Sequence, residues 1–251
     1  MNLDWTPLDA ELERWNSAGL TLPIWWRDDD AVAATPALAR LGELAERLDL
    51  TVHIAVVPKH ADDGLADVLA GHLVPVVHGW SHQNHSPEGQ KKTEFGAHRS
   101  QTELCRDAAA GLEKLKTLFG SDVAPMFVPP WNRIDPDILP ALPTLGYGML
   151  STFLPRKAEH AAPGLAQINT HLDPINWRGD RDLVDPETLI AQVCTQLRDR
   201  REGRADNLEP YGVLTHHLVH TDAIWRFTEA LFVRLLAGPT QCWTALKGPL
   251  T

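Results

Sequence analysis

A chain of 251 residues with 43% hydrophobic and 22% charged side chains has the makeup of an ordinary globular protein, long enough to bury a core without disulfide or metal support. Its 23 Lys and Arg against 33 Asp and Glu leave a net charge of -10, which argues against nucleic acid or an anionic membrane surface as partner, since both are bound through cationic patches. Three scattered cysteines (Cys105, Cys194 and Cys242) form no CxxC pair and read as reduced thiols. The polar, acidic start lacks a secretory pattern, and no apolar run nears the ~20 residues of a membrane span, so the expected compartment is the cytoplasm.

Residues 22–27 (LPIWWR) read as a buried strand, and Thr35-Pro36 then opens a helix whose apolar residues Leu38, Leu41, Leu44, Ala45 and Leu48 recur at helical spacing. Residues 51–57 read as a second strand, 62–70 as a short helix and 73–77 as a third strand. A long helix is expected from about 94 to 119, stopped by Gly120. A strand at 126–128 precedes a helix that starts at Asp135-Pro136 and ends before Gly146. Strands at 147–152 and 165–169, a helix from Asp185-Pro186 to about 201, a strand at 211–215, a helix at 222–236 and a last strand near 242–246 complete the reading. Strand–helix alternation without a linker or repeat implies one α/β domain over residues 1–251, its motif-bearing core at about 22–220. The expected fold is a distorted (β/α) barrel of seven or eight strands, with a doubly wound open sheet as the alternative.

In either architecture function sits where parallel strands end. There the sequence places Arg27-Asp28-Asp29-Asp30, His78 through His85, Pro129-Pro130-Trp131-Asn132-Arg133, Asn169 through Asp173, and Thr215-His216-His217. Three adjacent carboxylates repel one another, a cost that a nearby cation relieves. His78 and His82 lie four apart, a spacing that on a helical turn turns two imidazoles to one metal. With an Asp from another strand they make a three-ligand site open to water and substrate. His85 is either a supporting partner or a surface residue.

Taken in order, WRDDDA at 26–31, HGWSH at 78–82, FVPPWN at 127–132 and LTHH at 214–217 resemble the motifs of the polysaccharide deacetylases, across about residues 22–220. The resemblance implies a first Asp as catalytic base and a second as metal ligand. Asp29 and Asp30 are assigned these roles, with the register Asp28 and Asp29 left open. His78 and His82 complete the metal site. The family's third motif carries an Arg where this chain has Val128, so Arg27 or Arg133 must supply that charge to the base. Leu214-Thr215-His216 matches the last motif, making His216 the acid that protonates a leaving amine, with His217 as fallback. Asp173 and Trp177 are a loose match to a further Asp and Trp motif.

The implied reaction is hydrolysis of an N-acetyl or similar acyl group on an amino sugar, assisted by a divalent metal: zinc first, with cobalt, nickel, iron or manganese also compatible with the ligands. The backbone N–H of Trp131 is the expected oxyanion donor. Trp80 and Trp131 are placed against sugar rings, core packing being the alternative for both. Asn132 and Arg133 of the same loop are assigned to substrate. The expected partner is a small molecule or an oligosaccharide. Two other readings stand beside this one: a cytosolic amidohydrolase on a small non-sugar amide, and an inactive carbohydrate-binding relative.

Overall fold

The computed structural model describes residues 3–247. Five helices and nine strands are named here in chain order: α1 (Thr6–Ser17), β1 (Leu22–Ala31), α2 (Pro36–Leu48), β2 (Val52–Val56), β3 (Leu73–His78), α3 (Gln101–Phe119), β4 (Met126–Val128), β5 (Met149–Leu150), β6 (His160–Ala162), β7 (Leu165–Gln167), α4 (Pro186–Arg201), β8 (Tyr211–Thr215), α5 (Asp222–Ala237) and β9 (Thr240–Cys242). The sheet runs β6-β7-β5-β4-β3-β2-β1-β8, parallel throughout except at β6, with β9 pairing the start of β1. The ladder itself stops at β8. The chain just after β7 spans that gap: Thr170 still bridges Phe153 beyond β5, and Leu172 bridges Val213 of β8, both in parallel. There the His171 N–H donates to the Gly212 carbonyl (2.7 Å) and the Leu214 N–H to the Leu172 carbonyl (2.8 Å). Seven parallel strands thus enclose a distorted (β/α) barrel, as the alternation of elements implies.

Side-chain alternation along the strands sorts the core into two parts. Trp25, Ala55, Val76, Met126, Val128 and Met149 belong to the smaller cluster, inside the ring. The larger cluster joins the outer strand faces to the helices and includes Trp26, Ile54, Val77 and Phe127. Trp243, just past β9, packs edge-on to Trp25 at 5.4 Å and closes the end of the barrel away from the site.

Several elements depart from the sequence reading. Helix α3 begins at Gln101 rather than 94, because Ser100 and Glu103 form a reciprocal capping box there. The expected helix after Asp135 is a 3-10 segment (Pro136–Leu145), since Pro140 and Pro143 have no N–H to extend an α-helix. Residues 62–70 hold only a 3-10 turn at Asp63–Asp67. Helix α1 precedes the first element that the sequence pattern marks. It packs on α4, where the Trp15 indole donates to the Leu197 carbonyl. No helix among the described residues is long and apolar enough to cross a membrane.

Candidate active site

Strand β1 alternates toward its end. Trp25 faces the barrel interior and Trp26 the outer core, where it meets Phe232 at 4.6 Å. Arg27 therefore points inward and Asp28 outward. The Asp28 carboxylate is fully buried behind the sheet, accepting from the Thr215 hydroxyl (2.6 Å), the His217 N–H (3.0 Å) and the His217 ring. Asp29 returns to the interior, where Arg27 donates from Nε (2.8 Å) and Nη2 (2.9 Å) to its two oxygens. The register then shifts between Asp28 and Ala31, and Asp30 adopts φ 76°. This bulge carries one extra residue, so Asp30 opens on the same side as Asp29 instead of the opposite one. Two of the three aspartates face the cavity, and Asp28 does not.

His78 is the last residue of β3, and His82 follows in a loop. No helical turn joins them: Gly79 and His82 have φ 57° and 55°. Asp30 Oδ1 lies 3.1 Å from His78 Nε2 and 3.3 Å from His82 Nε2. One ligand atom from each of the three lies within 4.8 Å of the others. His78 Nδ1 sits 3.0 Å from the Val128 carbonyl, which keeps a proton on Nδ1 and turns Nε2 toward Asp30. Burial opposes the charge on Asp30, but hydrogen bonding and charge from His78 outweigh it and hold this carboxyl well below its usual range. Burial, then the His78 charge, pushes His82 down. At His78 burial also opposes the charge, yet Asp29 and then Asp30 raise it. A carboxylate held ionised beside two imidazole Nε2 atoms is a donor set that suits a divalent cation.

The loop between the two histidines is fastened by Glu94, which is fully buried. Its Oε1 accepts from the Ser81 N–H and hydroxyl, both at 2.7 Å. Its Oε2 accepts from the Trp80 and His82 N–H groups, both at 3.2 Å. A Cβ on Gly79 would strike that carboxylate and the Pro130 ring, so the tight approach needs glycine. Trp80 is half-buried, packs against the outer core and does not line the cavity. His85 is exposed and does not line the cavity.

After β4 the chain turns sharply, with Trp131 and Asn132 both at φ 56°. The Asn132 side-chain oxygen accepts from Arg27 Nη2 at 2.7 Å, tying this loop to the arginine that grips Asp29. The Trp131 ring stands 4.3 Å from the His82 ring. Arg133 is exposed at the mouth and bonds the Lys92 carbonyl at 2.8 Å. Of the two arginines that the sequence left open as partner to Asp29, Arg27 is the one in contact.

His216 follows β8 and faces the cavity. Its ring meets Trp177 edge-on at 4.7 Å, and its Nδ1 has no hydrogen-bond partner. The Trp177 indole donates to Asp173 at 2.7 Å. Burial pushes Asp173 up, against the pull of the His216 charge. His217 points back to Asp28 and does not line the cavity. His171 also leaves the site: buried, it contacts Glu209 (3.1 Å) and Arg200 (2.7 Å) instead. The cavity measures about 790 Å³, with Asp29, Asp30, His78 and His82 in its floor and Trp131 and Trp177 in its walls. Lys92, Arg178 and Arg181 complete the mouth.

Solved structures carry this same arrangement of elements. A family 4 carbohydrate esterase from Streptomyces lividans, in complex with acetate, matches with TM-score 0.56 and 11% identity over 91% of this chain and 95% of that one. A family 4 acetyl xylan esterase from Clostridium thermocellum, in complex with a cobalt ion, matches with TM-score 0.53 and 14% identity over 89% and 88%. The fold is that of the polysaccharide deacetylases. A third match is a mutant of a family 4 pseudoenzyme with restored activity, with TM-score 0.58 and 13% identity over 88% of this chain and 65% of that one. The deacetylase fold thus also hosts a protein described as a pseudoenzyme, and activity has to be argued from the site. No family model matches the chain, and no curated protein matches its sequence.

Proposed function

We propose that the protein is a metal-dependent hydrolase that removes an N-acetyl or similar acyl group from an amino sugar or its conjugate. The observation that carries this reading is the convergence of Asp30, His78 and His82 beside a second carboxylate, Asp29, locked in place by Arg27. A divalent ion held by Asp30, His78 and His82, zinc by preference, supplies Lewis acidity toward an acyl oxygen and a nearby water.

The remaining work falls to this chain's own groups. Asp29 takes the proton of the attacking water, and the two-pronged Arg27 contact fixes which way its oxygens face. The Trp131 N–H is the donor proposed for the developing oxyanion. His216, across the cavity, gives a proton to the departing amine. Trp131 and Trp177 offer flat apolar faces to a sugar ring, and Asn132 holds the loop that carries the first of them.

Metal content and acetate release test the reading together. Wild type should bind about one divalent ion per chain, and an Asp30→Ala, His78→Ala, His82→Ala variant none while remaining folded. Acetate should be released from an N-acetylated amino sugar or its conjugate, with Asp29→Asn and His216→Ala losing at least 100-fold in kcat at unchanged metal content. A wild type that takes no zinc or cobalt on reconstitution defeats the proposal.

A further inference from the structure

Eleven of the 16 arginines form an ion pair with a carboxylate among the described residues. Of the five that do not, three line the cavity mouth: Arg133, Arg178 and Arg181. Lys92, likewise without a carboxylate partner, is a fourth cation on the same rim, and its ammonium lies 6.0 Å from the centre of the Trp131 ring. All four are exposed. In a chain of net charge -10, arginines should be drawn to the abundant carboxylates, and 11 of the 13 outside the cavity mouth are paired with one. The cavity holds three carboxylates of its own: Asp29 is already matched by Arg27, Asp30 belongs to the metal triad, and Asp173 is pushed toward its neutral form by burial. The rim therefore holds three guanidinium groups that form no ion pair with a carboxylate among the described residues, at the mouth of a cleft whose low-dielectric walls focus charge.

We propose that the substrate is anionic: an acylated amine that carries a carboxylate or phosphate away from the scissile amide, held by Arg133, Arg178 and Arg181 with Lys92. This deepens the deacylase reading and rests on it for the amide end only. Planar guanidinium forks suit both anions, binding two oxygens at once. A neutral polymer of N-acetylated sugar would leave these four charges with nothing to meet.

The test reads binding, so it stands apart from turnover. Quenching of tryptophan fluorescence, reported by Trp131 and Trp177, is titrated with N-acetylglucosamine, N-acetylglucosamine 6-phosphate and N-acetylmuramic acid. Titrations use zinc-loaded protein and protein stripped with a chelator. At least one charged probe should bind roughly 30-fold more tightly than the neutral sugar at low salt, and the preference should shrink as salt rises. It should fall below threefold in an Arg133→Gln, Arg178→Gln, Arg181→Gln variant of unchanged metal content, and it should persist in stripped wild type. Preference for the phosphate alone or the carboxylate alone names the anion. Charged and neutral probes binding alike overturn the proposal, as does a preference that survives the triple variant, which would put the anion on the metal. Failure to release acetate from any probe, with the charge preference intact, defeats the deacylase reading and leaves the anionic site standing.

Discussion

Replacing Glu94 by Gln changes one atom pair and should unfasten a metal ligand 12 residues away. The carboxylate accepts four donors, two on each oxygen, and three are consecutive backbone N–H groups of the loop that ends at His82. An amide keeps one accepting oxygen. Its NH2 then confronts two donors with nothing to accept, in a site without exposure to water. Two charge-assisted bonds are lost at about 1.5–3 kcal/mol each, so the ordered loop is destabilised by about 3–6 kcal/mol. If roughly half of that falls on the placement of His82, metal affinity drops about 10–100-fold, the range found for groups that orient ligands. Competition with a chromophoric chelator measures the affinity, and melting of the metal-free protein measures the share borne by the fold. Ser81→Ala, which removes one donor of the four, should cost less than fivefold. A Glu94→Gln protein that binds metal within twofold of wild type and melts at the same temperature refutes the argument.

Arg27→Met leaves Asp29 almost fully buried without its partner, so melting should fall by roughly 6–15 °C and kcat by at least 100-fold. Arg27→Lys, charged but without the fork, should lie between, as thermal scans and acetate assays can show. Gly79→Ala should weaken metal binding more than Glu94→Gln does, because the new Cβ displaces both the Glu94 carboxylate and Pro130. The Asp28–His217 pair gives a pH signature. Burial disfavours charge on His217, but Asp28 outweighs it and raises the ring above its ordinary 6.5. That contribution is complete below about pH 6.5 and fades as pH rises through the raised value. Asp28 is lowered, since against the effect of burial the His217 charge and bond prevail, so its contribution is present above about pH 3.8 and lost below. The melting deficit of Asp28→Asn should therefore be largest near pH 5–6 and narrow toward pH 9. A deficit independent of pH contradicts the charged pair.

Strands β1, β2, β3 and β8 and helices α2, α4 and α5 were legible because their signals are local: continuous apolar runs, an Asp or Thr cap before Pro, helical spacing of leucines. The order of motifs along strand ends was legible for the same reason. What local pattern does not carry is direction. WRDDDA offers three equal aspartates, and only the bulge at Asp30 decides that two face one way while Asp28 faces His217. The His78–His82 spacing suggested a helical turn, whereas a buried glutamate organises a loop, and that same Glu94 was read as the start of a helix. Arg27 was one of two arginines in question. Strand alternation places it in the barrel beside Asp29, but Arg133 could be set aside only with the loop traced. Arg178 and Arg181 lay in a stretch without strand or helix pattern, so nothing nearby marked them as cavity residues.

The seam between residues 170–172 and β8 is the narrowest join in the ring: one isolated bridge, Leu172–Val213, rather than a ladder. Both sides of it run directly into chemistry, Asp173 lying one residue past Leu172 and His216 one residue past Thr215. Clamped across the same seam is the buried knot of His171, Glu209 and Arg200, with the Gly212 N–H donating to His171 Nδ1 at 3.0 Å. That knot works as the rivet of a pair of scissors: it touches no substrate, yet it sets how far apart the two blades rest. Substitutions there should shift Asp173 and His216 together and lower the melting temperature at the same time, as a buried charge that loses its partner does.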